Sequence, residues 1–132
     1  MKTKFNFNSQ ICTTRKQSEH LLELGLKKET ADMQLARTDA FKDIELIIPY
    51  PPNGEGEDIP AWSLNRLIEM MPLDVVPEGG FNNIFTLTKD SIGYSVEYDG
   101  FSYYYNKNIY DTLIEGIEHL IKEGYFNKEY LV

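Results

Sequence analysis

The chain has 132 residues, with 21 acidic against 13 basic side chains and a formal charge of −8 at pH 7. A 42% hydrophobic and 13% aromatic share suffices for one ordinary core, which excludes a disordered or collagen-like chain. No apolar run approaches the roughly 18 to 20 residues of a membrane-spanning helix, the first ten residues lack a signal peptide's apolar stretch, and the single Cys12 cannot close an internal disulfide.

These figures predict a single α+β domain over residues 1–132, in the cytoplasm, without a membrane partner or a cofactor. The excess of acid also disfavours nucleic acid as a partner, because phosphate backbones are bound largely through Lys and Arg.

Phe5 and Phe7 alternate with polar residues, so residues 1–10 read as a frayed tail or an edge strand. Thr14-Arg15-Lys16-Gln17 has the spacing of a capping box and predicts a helix over 14–24, with Leu21, Leu22 and Leu24 on its apolar side and Gly25 just past its end. Residues 27–32 read as a turn. Strands are predicted over 33–36 and 44–48, the second ended by Pro49, Pro51 and Pro52. A flexible acidic loop spans 50–59 and holds Glu55, Glu57 and Asp58. Ser63 is placed to cap a helix running to Met71, with Trp62 able to staple onto Leu67, and Pro72 stops it. Residues 73–83, with Pro77 and Gly79-Gly80, read as a connection.

Residues 84–88 and 94–98 alternate as strands, and Asp99-Gly100 has the chemistry of a two-residue hairpin turn. Pairing Tyr98 with Phe101 sets Val96 against Tyr103 and Tyr94 against Tyr105, which gives one face five aromatics and a valine and leaves Ser95, Glu97, Ser102 and Tyr104 on the other. Asn108 can cap a helix to about Glu123, whose stripe of Tyr110, Leu113, Ile114, Ile117, Leu120 and Ile121 is fitted to cover that face, and Gly124 can end it. The apolar residues of 125–132 predict that this segment folds back. The expected architecture is therefore a three-stranded or slightly larger antiparallel sheet packed by a C-terminal helix, with two further helices.

Three constellations carry candidate chemistry. Tyr50, Pro60 and Trp62 form a patch suited to a protein partner, since Trp and Tyr dominate interface hot spots, although Trp62 equally fits the staple. His20 with Glu23, and Glu115 with His119, share helix faces at spacings that would hold a metal if the two helices lay together; exposed ion pairs are the plainer reading. Cys12 lies ahead of a helix start, where a thiol becomes more acidic, so a thiol nucleophile is the other enzymatic candidate. The tyrosine-rich face lacks the flanking Lys and Arg of a nucleic-acid platform and is expected to be core. Mimicry of DNA by the carboxylates is a minor alternative, because they are scattered rather than arrayed.

The segments 12–25 (Cys12-Thr13-Thr14-Arg15 to Leu24-Gly25), 59–64 (Ile59-Pro60-Ala61-Trp62-Ser63-Leu64) and 120–125 (Leu120-Ile121-Lys122-Glu123-Gly124-Tyr125) together resemble a family of small uncharacterised proteins associated with prophages and mobile elements of gut bacteria. The resemblance implies an accessory protein of a mobile element that binds something rather than turning it over, and it assigns no functional residue. The combined expectation is a non-catalytic protein-interaction module with an unidentified protein partner, the alternative being a small metal- or thiol-dependent enzyme.

Overall fold

Helix α1 (Arg15–Glu23) begins where the capping box places it: Thr14 Oγ1 accepts the Gln17 amide at 3.1 Å, and the Gln17 side chain accepts the Thr14 amide at 3.0 Å. The computed structural model describes residues 9–38, 41–52, 58–76, 80, 82–98 and 102–132. Helix α2 (Leu64–Met70) is capped by Ser63, and helix α3 (Ile109–Glu123) by Asn108, which accepts the Asp111 amide. Both α1 and α3 end on a left-handed glycine, Gly25 at φ +101° and Gly124 at φ +81°. In each case the residue after the glycine donates back to the last turn, Leu26 to Leu21 O at 3.2 Å and Tyr125 to Leu120 O at 2.9 Å. A side chain at either glycine would strain that backbone.

Strands β1 (Met33–Thr38), β2 (Phe41–Ile48) and β3 (Ile59–Ala61) form an antiparallel sheet in the order β2-β1-β3. The strands expected over 33–36 and 44–48 are present and longer. The short strand at Ile59–Ala61, which has Pro60 at its centre and reads from sequence as a lead into α2, pairs with the edge of β1 instead. Proline suits this place because an edge strand can spare an amide. A single turn of 3₁₀ helix, Lys28–Thr30, occupies the expected turn at 27–32.

The second sheet has the order β4-β5-β6-β7, from β4 (Asp74–Val75), β5 (Asn83–Lys89), β6 (Tyr94–Tyr98) and β7 (Ser102–Asn106). The expected meander thus gains one short strand, β4, from the segment read as a connection. Its register differs from the expected one. Tyr98 pairs with Ser102, Glu97 with Tyr103 and Val96 with Tyr104. Three residues separate the paired ends of β6 and β7 instead of two, and a one-residue slip moves every side chain of β7 to the opposite face. Tyr104 therefore joins Val96 and Tyr98 on the inner face with Phe85 and Leu87, whereas Tyr103 and Tyr105 turn outward. The Asp99-Gly100 turn and Phe101 lie outside the described residues, as do residues 1–8, Gly79, and Glu55 and Glu57 of the acidic loop.

Helix α3 covers the inner face as its stripe predicts: Tyr110, Leu113, Ile114, Ile117 and Leu120 are buried. Gly116 lets the helix come close, since a Cβ there would stand 3.4 Å from Met71 Cε and 3.7 Å from both Val96 and Tyr104. The main core joins this layer to Leu21 of α1, Leu67 of α2, Trp62 and Phe126, while Cys12, Leu35 and Ala61 form a smaller cluster beside the first sheet. Residues 125–132 fold back as expected, with Lys27 donating to Tyr130 O and Val132 to Gly25 O, both at 2.8 Å. Burial of each large stripe residue contributes roughly 1.5 to 3 kcal/mol, so the α3 layer carries much of the stability.

Candidate functional site

Of the patch nominated from sequence, the structure leaves only Tyr50 at the surface, 68% exposed. Trp62 is 0% exposed and Pro60 is buried in the β1 pairing, so these two cannot join Tyr50 in a contact surface. Trp62 is held on three sides. Its indole donates to Thr30 Oγ1 at 2.9 Å, its amide donates to Thr13 Oγ1 at 3.0 Å, and its carbonyl accepts the Thr13 amide at 2.9 Å. Thr13 in turn shares a hydrogen bond with the Ser18 hydroxyl at 2.7 Å. Trp62 and Leu67 belong to the same buried cluster, in keeping with the staple.

Cys12 is buried and bridges to Ser63, the α2 cap. Both the amide and the hydroxyl of Ser63 donate to Asp32. Burial, with the Asp32 carboxylate nearby, pushes the Cys12 thiol up. The acidifying effect expected from a helix start is thus reversed, because desolvation and a neighbouring negative charge both oppose the thiolate.

His20 reaches the helix that carries His119, but the two histidines do not form a ligand set. His20 Nε2 lies 3.8 Å from Glu118 Oε2, a pairing not expected from spacing along either helix. Glu115 accepts from Asn106 Nδ2 at 3.2 Å, and the His119 ring lies against Tyr104 at 5.4 Å between centroids. Among the described residues, which include Glu23, no three His, Cys, Asp or Glu side chains converge on a point where a metal could sit. Between α1 and α3 lies a hollow of about 350 Å³ bordered by Lys16, Gln17, His20, Asp111 and Ile114. Amide side chains tie the two helix starts together there: Gln17 donates to Asp111 at 2.7 Å, Gln10 to Gln17 at 2.7 Å, and Asn108 to Gln10 at 3.1 Å.

A second hollow, of about 290 Å³, is apolar. Cys12 and Leu35 lie at its buried side, and Ile11 (60% exposed) and Ile47 (41% exposed) flank it. Arg15 and Glu45 border it as a two-toothed ion pair, Arg15 Nη2 reaching Glu45 Oε2 at 3.0 Å, and Arg37 adds a contact at 3.1 Å. The hydrogen bond from Arg15 holds the Glu45 carboxyl below the usual carboxylate range. This arrangement, exposed aliphatic side chains beside a shallow apolar floor with a charged rim, has the anatomy of a protein contact patch. The sequence carried one signal of it. Leu46, Ile47 and Ile48 put apolar residues on both faces of one strand, and with β2 at the sheet edge part of that run stays in solvent.

The outer face of the four-stranded sheet is the other open surface. It presents Ile84 at 67% and Tyr103 at 60% exposure, with Thr86, Thr88, Glu97 and Tyr105 between and beside them. The register error on β7 hid it, because the expected pairing places Tyr103 and Tyr105 in the core.

Comparison of the chain with models of protein families, with curated proteins and with solved structures gives no match. Among the described residues, no helix is long and apolar enough to cross a membrane.

Proposed function

We propose that this protein is a non-catalytic protein-interaction module, and that it docks its partner on the apolar hollow beside β1 and β2. The observation that carries this reading is the pairing of two solvent-exposed isoleucines, Ile11 and Ile47, across a hollow floored by Leu35 and rimmed by the Arg15 and Glu45 pair. Exposed aliphatic side chains gain most by burial, and a charged rim fixes orientation. Tyr50, which follows β2, keeps its place as an exposed anchor: the Gln34 amide holds the Tyr50 and Pro51 carbonyls at 3.1 Å, leaving the ring outward. A thiol-dependent reaction draws no support from Cys12, whose sulfur is buried and poorly ionised. The resemblance of segments 12–25, 59–64 and 120–125 supports a cytoplasmic role as an accessory of a mobile element.

The test is recovery of a stable complex from the native host with the wild-type chain and with an Ile11→Asp, Ile47→Asp double variant. Both side chains are exposed, so the variant should keep the wild-type circular dichroism spectrum and melt. Its affinity for the recovered partner should fall at least about tenfold. Equal binding by the folded variant overturns the reading.

A further inference from the structure

We propose that the outer face of the four-stranded sheet is a second binding surface, which takes an arginine- or lysine-bearing polypeptide segment, with Tyr103 and Glu97 as its recognition pair. The two residues are directly opposite in the β6 and β7 register, which sets their Cβ atoms about 4.5 to 5.5 Å apart on one face. The ring offers an exposed π surface and the carboxylate lies beside it. That is the combination a guanidinium or ammonium group uses, stacking on the ring while hydrogen-bonding to the carboxylate.

Other carboxylates and hydroxyls border the face, with Ile84 exposed among them and Lys107 just past the end of β7. Thr86 is opposite Glu97 on the β5 side, Asp74 is opposite Ile84 on β4, and Asp90 accepts from the Tyr105 hydroxyl at 3.1 Å at the β5 to β6 turn. Among the described residues, no Lys or Arg ion-pairs with Asp74, Asp90 or Glu97. The one lysine of these strands, Lys89, is in register with Tyr94 on the inner side and holds its ammonium 5.7 Å from that ring. The sheet thus already sets a cation over a tyrosine once, at the exposed Lys89, and repeats the aromatic half of that pair on its open face with a carboxylate added.

Charge selects the occupant. A second copy of the chain would bring acid against acid, and a nucleic acid would bring phosphate against the same carboxylates, so a basic polypeptide is the class that fits. This surface shares no residue with the apolar hollow, and its test stands apart from the one above.

The experiment is fluorescence anisotropy with three labelled probes: a peptide alternating Arg and Thr, its counterpart with Glu for Arg, and an oligothymidylate. The full chain is compared with Tyr103→Phe, Tyr103→Ser and Glu97→Lys, each checked for an unchanged melt. The Arg peptide should bind, more weakly as salt rises. Tyr103→Phe should retain binding, Tyr103→Ser should weaken it about three- to tenfold, and Glu97→Lys about tenfold or more. The proposal is overturned by no binding of the Arg peptide, by equal binding of the Glu peptide, by tighter binding of the oligothymidylate, or by an affinity that neither Tyr103→Ser nor Glu97→Lys moves.

Discussion

In the four-stranded sheet every strand pairs with its neighbour in sequence, whereas in the three-stranded sheet β1 is flanked on one side by β2 and on the other by β3, which arrives only after the 50–58 segment. The four-stranded sheet is an up-and-down meander closed by a single amphipathic helix. The three-stranded sheet is held by separate polar contacts from distant places: Thr13 and Thr30 on Trp62, Asp32 on Ser63, Arg15 on Glu45. The open surfaces differ accordingly. Among the described residues, α3 covers one side of the meander and the other is open, carrying Glu97 and Asp74 beside Ile84 and Tyr103; the smaller sheet exposes aliphatic side chains around an apolar floor.

The comparison predicts that the side assembled from distant contacts depends most on one residue. Trp62→Ala should cost about 3 to 5 kcal/mol, the range for emptying an aromatic core site, and should also leave the Thr30 hydroxyl without its indole donor. Urea titration would show it, and a loss below about 1 kcal/mol, closer to the size of a surface change, would mean Trp62 is not a keystone. On the meander side the sharpest steric limit is Gly93, where a Cβ would lie 2.5 Å from the Asn106 carbonyl oxygen. Gly93→Ala should cost about 1 to 3 kcal/mol by the same measurement, because backbone rather than a flexible side chain must yield.

A smaller effect tests the register. Tyr104→Ser should cost more than about 1 kcal/mol, because Tyr104 packs against α3, while Tyr103→Ser should stay within about 0.5 kcal/mol. The reverse order of the two melts would restore the two-residue hairpin and refute the outward placement of Tyr103. The smallest expected effect belongs to the Arg15 and Glu45 pair. Glu45 is held below its ordinary value in the folded state, so its contribution is whole above the unfolded value of about 4.3 and is lost as pH falls from there through the lower folded-state value. Glu45→Gln should therefore be less stable than wild type at neutral pH, and the gap should close in acid. A constant gap across a series of urea midpoints would contradict this.

Legibility in the sequence followed the same division. The capping box at Thr14, the caps at Ser63 and Asn108, the glycine stops at Gly25 and Gly124, and the α3 stripe depend on residues within one or two turns of each other, and each was readable. The β7 register was not, since Asp99-Gly100 suits a two-residue turn while the pairing leaves three residues between strands, and one position decides the face of every tyrosine. The Ile59–Ala61 strand was hidden because proline reads as a breaker and its partner lies on β1, far earlier in the chain. The binding candidates suffered most. Trp62 has the composition of a hot spot, and only the positions of Thr13 and Thr30 reveal that it is enclosed.

The back-folded segment also has a consequence for how the protein is made. Phe126 belongs to the same buried cluster as Leu21 and Leu26, Leu131 bridges to Leu26, and Tyr110 bonds the Gln10 carbonyl across a separation of 100 residues. On the ribosome, helix α1 therefore meets β3 and Trp62 first and gains its contacts with α3 and Phe126 only once the chain has been made that far. Slowing synthesis between α1 and α3, the meander included, should therefore raise aggregation more than slowing it after α3.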